Sequence, residues 1–275
     1  MKCTFILLSL LSFSSVGCEL TMGYRTSERL PYIHAEPDNS GLFDDLYRTA
    51  AARIGCELNI VRAPKNRIIR DLMHGKIDFY PSFGFNRQRM RFAHFVPNGL
   101  PERYTGISRE GTPDIRQPTE LVDHDMVLLI SPGGYDLGGL PDKLETRRPP
   151  DMDVPQALGL LRARKGDFFI YDEITLNYYL KRDGRTALKL HHDCCESPRT
   201  MYLGFSRKSP HFDDEPNPAY DADKPLTPEN LPRRLRAGTK AEQFSKSLAL
   251  MLKEGKTQAL IHSAALERGA ATLHG

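Results

Sequence analysis

Two α/β units, each a mostly parallel sheet flanked by helices, are the fold class that this 275-residue sequence predicts, on three observations. The tetrapeptide Gly-Cys-Glu-Leu occurs at 17–20 and again at 55–58, each time leading into a β-prone run. A longer pattern of helix, glycine stop, aspartate and aromatic strand runs from Arg67 to Gly84 and again from Ala157 to Glu173. With 40% hydrophobic and 27% charged residues, the chain also has the composition of a compact fold and the length for two cores.

Residues 1–17 read as a secretory signal: a basic start, an apolar run from Phe5 to Phe13, then small residues. That run is too short to span a bilayer. Cleavage after Gly17 leaves Cys18 at the new N-terminus, which admits a lipoprotein as one alternative. Export permits disulfides, and Cys18, Cys56, Cys194 and Cys195 then allow three pairings. From Leu20 the order is strand (20–25), helix (41–55, with Leu42, Phe43, Leu46 and Ala50 on one face and Gly55 as its stop) and strand (58–63). The strands of such a βαβ unit run parallel and adjacent. Cys18 and Cys56, each two residues before an equivalent strand start, can therefore lie side by side as a disulfide staple.

A second early strand lies at 126–134, with a turn near Tyr135 that opens a helix. Residues 210–239, dense in proline and charge, acidic first and basic later, read as a solvated insertion. An amphipathic helix follows, interrupted at Gly255 and continued as a second one. The run His191 to Cys195 lacks zinc spacing, so no metal site is expected there. A vicinal Cys194–Cys195 disulfide and a pair of buried thiols both remain open. A net charge of +3 with scattered basic residues gives no face for nucleic acid. No serine-nucleophile, zinc-protease or phosphate-loop motif is present, and no cofactor is expected.

In order and spacing, several segments together resemble the bacterial periplasmic solute-binding proteins of the polar amino-acid uptake class, family 3. They are MGYRTSERLPYI, GLFDDLYRTAAARIG, LMHGKIDFYPSFGFNRQRMRFAHF, KGDFFIYDEITLNYYLKR, MYLGFSRKSP and LALMLKEGKTQALI. The resemblance implies a two-lobed periplasmic binding protein type II fold, its lobes joined by crossover strands near Tyr104 to Ser108 and Gly204 to Lys208. Lobe 1 would hold 18–104 and 207–275, with the insertion inside it, and lobe 2 would hold 105–206. It also implies a periplasmic monomer that captures an amino-bearing carboxylate for an inner-membrane ABC permease, or for a membrane sensor.

Carried over by motif position, Arg89 would grip the ligand carboxylate with two parallel hydrogen bonds. Asp172 would receive the ligand ammonium, a role that can coexist with capping the following helix. Ser82 matches a ligand-contacting position. Gly84 replaces a hydroxyl residue but keeps its N–H, Gly133, Gly134 and Tyr135 keep helix-start donors, and Asn86 can still cap. Arg29 stands where the family stacks an aromatic residue, while Tyr32, Tyr80 and Phe83 are candidate apolar walls. The alternative is a dehydratase-like enzyme on the same scaffold, with Glu173 beside Asp172 sharing acid–base work.

Overall fold

The computed structural model describes residues 17–131, 140–150, 152–183, 187–195 and 197–266. It opens with β1 (Cys18–Arg25), α1 (Leu42–Ala52), β2 (Cys56–Ala63), α2 (Lys65–Met73), β3 (Phe79–Tyr80), a 3-10 turn (Arg89–Arg91) and β4 (Ala93–Glu102). Past Arg103 come β5 (Tyr104–Arg109), α3 (Glu120–Asp123), β6 (Leu128–Leu129), β7 (Thr146–Arg147), α4 (Val154–Arg162), β8 (Phe168–Asp172), α5 (Glu173–Arg182) and β9 (Leu188–His191). The return carries β10 (Arg199–Ser206), β11 (Asp214–Pro216), β12 (Arg233–Leu235), α6 (Lys240–Lys253) and α7 (Lys256–Leu266).

The first βαβ unit forms as expected. α1 buries Leu42, Phe43, Leu46 and Ala50, together with Tyr47 and Ala51. Gly55 then turns the chain at φ +70°, a conformation that disfavours a side chain. β1 and β2 pair in parallel with Cys18 opposite Cys56, and the two cysteines are bonded at a Cα–Cα distance of 4.4 Å.

Two five-stranded sheets result, ordered β2-β1-β3-β10-β4 and β7-β6-β8-β5-β9. In each, four strands point one way and one runs against them, β10 in the first and β5 in the second. The repeated helix–glycine–aspartate–strand pattern occupies matching places. Asp78 donates its backbone N–H to the Thr21 carbonyl at 2.9 Å and accepts the Thr21 N–H on its carboxylate at 2.7 Å. Asp167 does the same with Val127, at 3.1 Å. Each aspartate thereby pins the strand after the helix to a strand one further back in the chain, β3 to β1 and β8 to β6, so the intervening strand lies on the far side.

The chain steps between sheets at Arg103 and returns between β9 and β10. The return was expected at Gly204 to Lys208. It comes earlier because β10 is an inner strand of the first sheet, with Met201, Leu203 and Phe205 buried in the first core. Cys194 and Cys195 form a vicinal disulfide on this return segment.

The insertion also departs from a merely solvated loop. β11 and β12 pair as an antiparallel ribbon, and its acidic-then-basic order becomes cross-strand ion pairing. Arg234 meets Glu215 at 2.7 Å, Arg236 meets Asp213 at 2.5 Å, and Asp214 takes both Arg207 and Arg233.

Candidate functional site: a cationic, aromatic cleft between the sheets

Residues at or beyond the carboxyl ends of β1, β3 and β8 line one cavity of about 670 Å³. This is where open α/β sheets present their loops to a ligand. On the first side, Pro81 ends β3 and its carbonyl accepts from the Tyr47 hydroxyl at 2.5 Å and from Asn98 at 3.1 Å. Phe83 then tucks under β10, where a Cβ on Gly204 would come within 2.3 Å of its ring, so that position admits only glycine without a shift. Asn86 accepts the Arg89 N–H at 2.8 Å and caps the 3-10 turn. The Arg89 guanidinium lies 4.5 Å over the Phe83 ring and donates to the Gly84 carbonyl at 2.8 Å. Ser82, Phe83, Gly84, Asn86 and Arg89 all line the cavity, and Tyr80 stands beside them.

Asp172 behaves differently. It ends β8 fully buried and caps α5, accepting the N–H and hydroxyl of Thr175 at 2.9 Å each. Its other oxygen accepts the hydroxyl of Tyr32, itself buried in the first core, at 3.2 Å. Arg29 reaches the same carboxylate at 3.8 Å, lies 4.6 Å over the Tyr32 ring, and donates to Ser82 at 3.2 Å. Burial works to lower the Arg29 pKa, and Asp172 with the nearby phenols more than offsets it, so the guanidinium stays charged. Burial pushes the Asp172 carboxyl up against the pull of Arg29 and Thr175. Arg29 lines the cavity, whereas Asp172 and Tyr32 do not. Gly133, Gly134 and Tyr135 lie outside the described residues.

Glu173 is also committed elsewhere. It pairs with Arg103 at 3.5 Å and with His192 at 2.8 Å, one partner from each passage between the sheets. The His191 ring accepts the Ile115 N–H and bonds Ser108, while burial and Lys189 lower its pKa to about 4. Both neighbouring thiols are consumed by their disulfide.

Sequence reasoning missed Arg25, Lys65 and Arg199 on the charged wall. Arg25, the last residue of β1, and Lys65, the first of α2 beyond β2, line the cavity with Arg29, Arg89 and Arg199. Arg25 and Lys65 sit at or just past a strand end, which is the signal that would have found them. Among the described residues, five cations thus face two carboxylates: Glu102, paired with Arg199 at 2.9 Å, and Glu229, which accepts the Tyr202 hydroxyl. Glu229, with Thr227 and Pro228, comes from the insertion, whose turn forms part of the wall. Burial, then Arg25, Arg89 and Arg29, lower the Lys65 amine to about 8.

No family model and no curated protein sequence matches the chain. Solved structures do. A GluR0 ligand-binding core in complex with L-glutamate superposes with a TM-score of 0.67 at 12% identity, over 91% of this chain and 98% of that one. A mutant of ArgBP from T. maritima gives 0.64 at 17% identity, over 89% and 94%. A histidine kinase sensor domain with similarity to periplasmic binding proteins gives 0.63 at 17%, also over 89% and 94%. The chain has the periplasmic binding protein fold. The cavity described above is lined from both five-stranded sheets, by residues of β1, β3, β4 and β10 in the first and of β5 and β8 in the second.

Proposed function

We propose that the chain is an extracytoplasmic solute-binding protein that captures a small carboxylate between its lobes and presents it to a membrane permease or sensor. The observation that carries this reading is the convergence of Arg89, Ser82 and Gly84 on a cavity walled by both sheets. A guanidinium held over Phe83 and bonded to the Gly84 carbonyl is oriented before the ligand arrives, so little freedom is lost on binding. Contacts from both lobes make the closed form the better binder, which converts occupancy into a change of shape. The apolar run at 5–13 supports export. A non-catalytic role is supported by Asp172 and Glu173, the expected acid–base pair, being engaged by Arg29, Arg103 and His192 instead of facing the cavity.

Thermal unfolding of residues 18–275 against a panel of amino acids and small organic acids tests this. A ligand at one hundred times its Kd adds about 2.7 kcal/mol to the folded state. The reading predicts a shift with one compound class, lost in Arg89→Ala. A shift that survives Arg89→Ala, or no shift with any compound, contradicts it.

A further inference from the structure

The position that would receive a ligand ammonium is already filled. Asp172 accepts three hydrogen bonds and faces the Arg29 guanidinium, so an amino group would have to displace a charged, buried arginine to reach it. Arg29 in turn bridges the lobes, holding Ser82 on one and Asp172 on the other.

What the cleft offers is cation. Arg25 lines it with no ion pair among the described residues, its one polar side-chain contact being with the Tyr171 hydroxyl at 3.3 Å. The Nε atoms of both Arg25 and Arg29 are buried without a hydrogen-bond partner among the described residues. Buried donors left unmade are costly, and a guanidinium edge of Nε and Nη is matched by a carboxylate. A single acid group on Arg89 would leave Arg25 and Lys65 facing each other's charge in the same space, where burial first and then Arg25, Arg89 and Arg29 draw the Lys65 amine down. Rings fill much of the remaining wall, among them Tyr24, Tyr80, Phe83, Tyr104 and Tyr171. Such faces suit an apolar body.

We infer that the ligand is a small organic dianion, two acid groups joined by a short apolar body, one group on Arg89 and the other on Arg25 with Lys65, and that it needs no amino group. This rests on the solute-binding reading and narrows it.

Calorimetric titration of residues 18–275 with glutarate, benzene-1,3-dicarboxylate, L-glutamate, L-glutamine and inorganic phosphate is the test. The inference predicts that an amino-free diacid binds at least as tightly as either amino acid. Arg25→Gln then weakens it about tenfold or more, the loss expected when one partner of a desolvated charge pair is removed. Arg25→Lys recovers part of that loss, and Lys65→Gln, at a more exposed group, gives an independent decrease. Binding of L-glutamate or L-glutamine with no binding of either diacid overturns the inference and leaves the solute-binding reading standing. Binding of phosphate alone overturns the organic dianion. Silence from all five, with no thermal shift across the wider panel, overturns both.

Discussion

The two copies of the helix–glycine–aspartate–strand pattern begin alike and end unlike. In each, the aspartate pins its strand to its sheet neighbour two strands earlier, Asp78 to Thr21 of β1 and Asp167 to Val127 beside β6. Beyond that point β3 leads to Ser82, Gly84 and Arg89 on the wall of the cleft. β8 leads to Asp172, which is sealed by Arg29, Tyr32 and Thr175. Local pattern built the same scaffold twice. Which strand end stays open to a ligand was decided by residues from the loop after β1, which reach across to the other lobe.

The largest way to break this comparison is to unseal the second end. Asp172→Leu leaves Arg29 buried without its counter-charge and removes the α5 cap, and should cost about 3–5 kcal/mol in urea unfolding. Adding Arg29→Met should restore most of that stability, since a well-packed apolar pair replaces a buried ion pair at little net loss. If Asp172→Leu alone is neutral, the seal contributes nothing and the two strand ends do not differ as described.

A smaller effect separates the lobes by pH. Each sheet holds one buried histidine with its pKa drawn down to about 4: His94 by burial and Arg207, His191 by burial and Lys189. A lowered folded-state value means that stability is fully present above the unfolded pKa of about 6.5 and is lost as pH falls toward 4. Moving from pH 7 to 5 should cost roughly 1–2 kcal/mol per histidine. The two differ in their partners. His191 uses both ring nitrogens, whereas His94 Nδ1 has no partner among the described residues. His94→Leu should therefore remove its share of the acid sensitivity at little loss of stability at pH 7, and His191→Leu should destabilise. Urea midpoints at the two pH values check this.

The smallest effect sharpens the charge of the open end. Lys65 shares its two cavities with Arg25, Arg29, Arg89 and Arg199, with Glu28, Glu102, Asp153 and Glu229, and with the phenols of Tyr24, Tyr80, Tyr104, Tyr171, Tyr179 and Tyr202. With its amine at about 8, it is protonated at pH 7 and largely neutral at pH 9. Anion affinity should be full near pH 7, fall through pH 8 and be down by at most about tenfold by pH 9, and Lys65→Gln should flatten that slope. A slope unchanged by the substitution would mean that Lys65 does not face the ligand.

Much of the scaffold was legible because its signals are local. The repeated Gly-Cys-Glu-Leu set the β1–β2 register, and with it the Cys18–Cys56 bond, before any tertiary contact was known. Gly55 and Gly255 marked turns at φ +70° and +74°, where a side chain would be strained. The ribbon was half legible: acidic and basic runs were visible in 210–239, but their pairing depended on how the intervening turn folds back. The expected place of the return failed because β10 reads the same whether it crosses between sheets or lies within one. In the site, Arg89 and Ser82 were carried by motif position. Asp172's engagement with Arg29 was not, because the two lie in different segments and only the folded chain brings them together.

Tyrosine emission offers the most direct test of the central claim, that an anion binds between the lobes. The chain has no tryptophan, and Tyr24, Tyr80, Tyr104, Tyr171 and Tyr202 line the cleft. Titration of residues 18–275 with glutarate, which does not absorb where tyrosine does, should give a saturable change in emission that disappears in Arg25→Gln/Arg89→Ala. The same saturable change in that double variant would place the anion outside the cleft and contradict the account.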